Sequence, residues 1–98
     1  MIYFVQNPVS KHIKIGSTSN MERRLMELQI ANSASLRILY VIDIPDEESL
    51  MFERHVQDAC RLYSVQGEWF EPGCLDHLLR HPWYKEHMRA IESPMRIL

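Results

Sequence analysis

Apolar and polar positions alternate in short blocks along the chain, and those blocks predict its elements. Residues 2–6 (Ile-Tyr-Phe-Val-Gln) are β-branched and aromatic, the composition of a strand, and Asn7-Pro8 ends them with a turn signal. Residues 12–16 (His-Ile-Lys-Ile-Gly) alternate polar with apolar, so Ile13 and Ile15 share the buried face of a second strand. The short connection predicts an antiparallel hairpin. Asn20 suits a helix N-cap, with Glu22 in the first turn. Met21, Leu25 and Leu28 then form the i, i+4, i+7 stripe of a core-facing helix that ends at Asn32-Ser33.

Residues 36–44 form the longest apolar run and predict a central strand. Pro45-Asp46-Glu47-Glu48 opens a second helix reaching Tyr63, with Leu50, Val56 and Leu62 among its apolar positions. A short Glu68-Trp69-Phe70 segment lies between Gly67 and Pro72-Gly73. Residues 75–80 read as a third helix and residues 83–89 as a further short one. There is no internal repeat. This order predicts one α+β domain over 1–98: a small three-stranded antiparallel sheet flanked by helices, with a core over 2–71 and a helical extension over 72–98.

Composition refines that picture. Ninety-eight residues, 46% of them hydrophobic, suffice for one modest core. No apolar run approaches the ~20 residues of a membrane span, and the start of the chain lacks a signal-peptide pattern, which predicts a cytoplasmic location. Cys60 and Cys74 are far apart and form no CxxC pair, so they read as free thiols. His77 and His81 are spaced i, i+4 but bring neither an HExxH pattern nor a third metal ligand, and read as surface histidines. The net charge of −2 argues against strong phosphate-backbone binding by the whole surface. Its distribution is uneven, however. Lys11, His12, Lys14, Arg23 and Arg24 gather in the first quarter, while Asp43, Asp46, Glu47 and Glu48 lie mid-chain, and the local field decides what a site attracts.

Within the basic quarter, the predicted hairpin puts Tyr3 and Lys14 on one face. An ammonium beside a phenol favours phenolate, which makes Tyr3 a candidate general base or nucleophile-orienting group, with Lys14 its activating charge. Arg24 offers a planar fork for a phosphate. Glu53 offers a hard oxygen ligand for one Mg²⁺ or Mn²⁺ ion. Each has an ordinary explanation when taken alone. Tyr3 could pack its ring, Lys14 could be solvated, Arg24 could pair with Glu22 or Glu27, and Glu53 could be an exposed helix acid. Gly16 reads as a turn glycine. Ser17, Thr18 and Ser19 read as turn hydrogen-bonding residues, and Trp69 and Phe70 as core anchors.

The ordered set Tyr3, Lys14-Ile15-Gly16, Arg24, Glu53 and Gly67-Glu68-Trp69-Phe70 resembles the GIY-YIG nuclease superfamily. The closest resemblance is to its small phage and bacterial KIG…GEWF branch, the T5orf172 and meiotically up-regulated gene 113-like domains, and it spans residues 2–71. It implies an endonuclease hydrolysing DNA phosphodiesters with Tyr3, Lys14, Arg24 and Glu53 as catalytic residues and Glu53 on one divalent metal. Lys11, His12, Arg23 and Glu68 are then candidates for substrate contacts. Glu68 stands where many members carry an asparagine, as a supporting group or an added metal ligand.

There are departures from the family pattern. Met1 occupies the place of the first motif's glycine, Lys14 that of a tyrosine, and Leu28 that of a histidine one turn after the arginine. Target specificity would then come from residues 72–98, from dimerisation or from a protein partner, with DNA bound weakly by this domain alone. Two other readings compete. One is a catalytically weak or inactive relative that binds nucleic acid or a host protein, such as a phage-encoded inhibitor. The other is an oligomerising protein using Met95, Ile97 and Leu98.

Overall fold

A computed structural model describes residues 1–91. Met95, Ile97 and Leu98, on which an oligomerising role would rest, lie outside the described residues. The described residues form an α+β fold around six antiparallel strands, twice the expected number. The three expected strands are present as β1 (Ile2–Gln6), β2 (Ile13–Ser17) and β3 (Arg37–Ile42). The additions are β4 (Ser64–Gln66), β5 (Trp69–Phe70) and β6 (Arg89–Ala90), and the order across the sheet is β4-β5-β2-β1-β3-β6. Each added strand has only two or three residues, too few for a periodic pattern to be visible in sequence. β5 and β6 exist because the longer β2 and β3 offer them unpaired edges, and β4 folds back on β5 as a hairpin.

The centre of the sheet is β1, not the longer apolar run of β3. Residues Ile2 to Val5 are at most 1% exposed, because β1 is paired on both sides and covered on both faces. Only half of β3 is buried, and its outer neighbour is the two-residue β6. A bulge in β3 opposite Phe4 and Val5 lets Tyr3 face Val41 and Val5 face Ile38.

Each face of the sheet has its own core. Helix α1 (Met21–Ile30) buries Leu25 and Leu28 against Tyr3, Val5, Leu36, Ile38 and Val41. The opposite face carries α2 (Asp46–Ala59), α3 (Gly73–Leu79) and α4 (Pro82–His87). There Val56, Cys60, Cys74, Leu78 and Tyr84 pack on Ile2, Phe4, Ile13 and Ile15. Residues 72–91 therefore share the core of the sheet and add a strand to it. Helix α2 stops at Ala59, and a single 3₁₀ turn (Arg61–Tyr63) leads into β4, so Leu62 is 87% exposed. Leu50, on α2, is also exposed.

Asn20 caps α1 as its sequence predicts: its Oδ1 accepts from the Arg23 amide at 3.0 Å. Thr18 fixes the cap by hydrogen bonds to both backbone groups of Asn20. Asn20→Ala should lower stability by about 1 kcal/mol, read as a lower urea midpoint at unchanged slope. An unchanged midpoint would mean that the cap contributes nothing.

Candidate active site

The register of the hairpin places the first residues. In β1–β2, Tyr3 pairs with Gly16 and Val5 with Lys14. Directly opposed residues of an antiparallel pair point to one face, so Tyr3 and Lys14 share the α1 side of the sheet. Gly16 lies within β2, not in a turn, and among the described residues only Lys11 and Gly67 adopt the left-handed backbone region. What requires a glycine at position 16 is the Tyr3 ring, which lies across it: a Cβ there would overlap the hydroxyl and the ring.

Helix α1 brings Arg24 over this ring. Its Nε donates to the Tyr3 hydroxyl at 3.1 Å, and its Nη1 lies 3.5 Å from Glu27 Oε1. Arg24, not Lys14, is therefore the cation at the phenol. The direction of the Tyr3 shift also differs from the expected lowering. Burial pushes the phenol above its usual value of 10.0, and the Arg24 hydrogen bond and charge oppose this without reversing it. Tyr3 keeps its proton at neutral pH and acts as a neutral hydroxyl.

Lys14 turns to Glu68 instead. Its Nζ lies 3.3 Å from Glu68 Oε1 and 5.4 Å from the centre of the Trp69 ring. Glu68 is held there by the β4–β5 turn, whose backbone carbonyl accepts from the Ile15 amide at 3.0 Å. Glu53 approaches from α2 and is only 8% exposed. Its Oε1 accepts from Ser17 Oγ at 2.6 Å and its Oε2 from Gln57 Nε2 at 3.4 Å. The same Gln57 amide donates to Glu68 Oε2 at 3.3 Å and to the Ile15 carbonyl at 2.8 Å.

The Glu53 and Glu68 carboxyl groups are close enough to hydrogen-bond to each other, and this separates their behaviour. Burial raises Glu53, Glu68 raises it further, and the Ser17 hydrogen bond only partly opposes them. Burial also acts to raise Glu68, but Glu53, Gln57 and Lys14 together hold it below its usual value. Glu68 is the more readily ionised of the pair. The charges of both also reach the Tyr3 hydroxyl.

Five of the eight residues singled out from sequence thus meet in one patch: Tyr3, Lys14, Arg24, Glu53 and Glu68. The others stand apart. Arg23 is exposed and joins only through Glu27, 3.6 Å from its Nε. Lys11 is exposed in the β1–β2 loop, where its carbonyl accepts from Gln6 Nε2. His12 is half-buried and faces a groove beside Trp69.

Sequence reasoning missed two members of the patch. Gln57 was detectable, since it lies four residues after Glu53 on one helix face. Ser17 was less so, because it ends β2 and serves Glu53 on the helix packed over its face of the sheet, not the turn after it.

The chain matches the T5orf172 domain over residues 1–92. It belongs to the T5orf172 domain family. That family is related to GIY-YIG-like nuclease domains. No curated protein and no solved structure matches the chain. The T5orf172 match extends from β1 through β6 and so includes every residue of the patch. It also includes α3 and α4, in keeping with their place in the shared core. Among the described residues no helix is long and apolar enough to cross a membrane.

The donor set can be tested against a divalent ion. Among the described residues no three acidic, histidine or cysteine side chains converge as a ready metal cage. Mg²⁺ and Mn²⁺ do not need one, since Mg²⁺ commonly takes one or two carboxylates and completes its shell with waters and phosphate oxygens. When both are ionised the two adjoining carboxylates repel, and among the described residues Lys14 pairs with Glu68 and no cation pairs with Glu53. Glu53 and Glu68 fit such an ion.

Proposed function

We propose that this T5orf172 domain is a metal-dependent endonuclease that hydrolyses DNA phosphodiester bonds. One observation carries the reading: Arg24, Lys14 and Tyr3 supply donors beside two adjoining carboxylates of opposite pKa shift. Perturbed carboxylates beside cations are typical of sites that bind and cleave phosphate esters.

Glu53, with Glu68 beside it, would hold one Mg²⁺ or Mn²⁺ ion, which supplies positive charge to the phosphate when bound. The protein's own residues do the rest. The Arg24 fork binds the nonbridging oxygens and stabilises charge that grows on them as water attacks phosphorus. Glu68, kept ionised by Lys14 and Gln57, accepts the proton of that water. The ester P–O bond opposite the water breaks as the new P–O bond forms, and the departing oxygen takes a proton from solvent. Tyr3, still protonated, orients Arg24 and the phosphate. It is a positioning group in this scheme, and the proton acceptor is Glu68.

The test is nicking of supercoiled plasmid DNA. The wild type should nick with Mg²⁺ or Mn²⁺ and not in EDTA. Arg24→Ala should lower the rate on the order of 10²- to 10³-fold while keeping the wild-type melting curve within a few degrees. Absence of nicking by the wild type across divalent metals would overturn the enzyme reading in favour of a nucleic-acid or protein binder.

A further inference from the structure

A groove of about 300 Å³ opens at the end of the sheet beside the patch. The β1–β2 loop contributes Asn7, Ser10 and His12, the turn after α1 contributes Asn32, and the β4–β5 hairpin contributes Gln66 and Trp69. No carboxylate lines it, although acids outnumber lysines and arginines thirteen to eleven in the chain. Its hydrogen-bonding capacity is largely unspent. Among the described residues Asn7 uses only Oδ1, for the amides of Val9 and Ser10, and Asn32 uses only Nδ2, for the Leu28 carbonyl. Among the described residues, the His12 ring and the Gln66 side-chain amide make no hydrogen bond.

An aromatic wall with both donors and acceptors around it suits a flat heteroaromatic ring with a mixed polar edge. Side chains of these types read nucleobase edges and pack on base faces. Position narrows the choice further. Trp69 pairs with Lys14 across β2–β5, and Lys14 pairs with Val5, two residues along β1 from Tyr3. Two residues of strand span about 7 Å, so the groove begins where the phosphate patch ends, on the same face of the sheet. The Lys14 ammonium lies between them, over the Trp69 ring.

We infer that this groove is a subsite for an unpaired nucleobase, that of a nucleotide adjoining the phosphate held at Arg24 and Lys14. The inference rests on the nuclease reading and deepens it: the substrate is single-stranded or locally opened DNA. A paired and stacked base presents neither its faces nor its pairing edge, and must leave the helix to enter such a groove.

Fluorescence of Trp69 tests this. The chain has two tryptophans, so Trp83→Phe leaves Trp69 as the sole reporter. In EDTA, where no cleavage occurs, a short single-stranded DNA oligonucleotide should quench Trp69 and bind at least about tenfold tighter than the same sequence as a blunt duplex. His12→Ala and Gln66→Ala should each weaken single-strand binding about fivefold. Neither side chain holds a hydrogen bond among the described residues, so both variants should melt as the parent does. Equal affinity for the two DNA forms, or unchanged affinity in both variants, would overturn the subsite. Quenching without plasmid nicking would leave the subsite standing and remove only the nuclease. Nicking without a single-strand preference would remove only the subsite.

Discussion

Gly16→Ala should destabilise the protein by about 2 kcal/mol and reduce metal-dependent nicking to background. The added methyl would occupy space filled by the Tyr3 hydroxyl and ring, which is 1% exposed. That ring is hemmed in by Val5, Leu25, Leu28 and Val41 in the α1-side core. Two responses are open to it. If the ring stays, β2 must move from β1, disturbing the strand pairing on which both cores depend. If the ring swings away, its hydroxyl leaves Arg24 Nε and the guanidinium loses its support. Either response dismantles the patch.

Tyr3→Phe is the matching control. It keeps the ring over Gly16 and removes only the hydroxyl, so it should lose about 1 kcal/mol of stability while still slowing nicking. Denaturant titrations and plasmid nicking of both variants provide the check. Wild-type stability and activity in Gly16→Ala would show that the approach of Tyr3 does not constrain position 16.

Glu53→Gln should slow nicking on the order of a thousandfold, the size expected for losing a charge interaction of several kcal/mol in the transition state. It should do so without destabilising the metal-free protein. Glutamine keeps an oxygen for Ser17. It replaces the Oε2 that accepts the long 3.4 Å bond from Gln57 with an amide that can donate to Glu68, so one weak bond is lost while a contact between two acids becomes a hydrogen bond. The pH dependence has a definite sign. The folded-state pKa of Glu53 is raised above the ordinary 4.5, so its favourable contribution is complete below about 4.5. That contribution is lost as pH rises through the raised folded value. In EDTA the variant should therefore gain melting temperature over the wild type as pH rises from about 4.5 towards neutrality.

Divalent metal should reverse the ranking. Mg²⁺ or Mn²⁺ should raise the melting temperature of the wild type by mass action and leave Glu53→Gln unmoved. A metal-induced shift of equal size in both proteins would remove Glu53 from the metal site.

Sequence and tertiary structure divide the account between them. The sequence alone determined the hairpin, α1 with its Asn20 cap and Leu25/Leu28 stripe, β3, and the start of α2. All of these follow from local rules: residues two apart share a strand face, residues three and four apart share a helix face, and a cap bonds its own first turn. The sequence also contained the ordered set of residues that resembles the family the chain matches. It did not reveal the three short strands: β5 and β6 exist as additions to edges formed by distant residues, and β4 only as the hairpin partner of β5. Nor could it tell that β1 is the doubly covered centre, since both β1 and β3 are apolar and only topology decides which is flanked.

The chemistry of the patch divides in the same way. Spacing placed Tyr3 and Lys14 on one face, but side-chain reach across elements chose their partners: Arg24 for Tyr3, Glu68 for Lys14. Burial, a property of the whole fold, kept the Tyr3 proton in place, while the mutual contact of Glu53 and Glu68, with Lys14 and Gln57 beside Glu68, drove the two carboxyl groups apart in pKa. Gly16 illustrates the reason most directly. Its identity is written in the chain, yet the need for it comes from a ring thirteen residues earlier that arrives only when β1 and β2 pair.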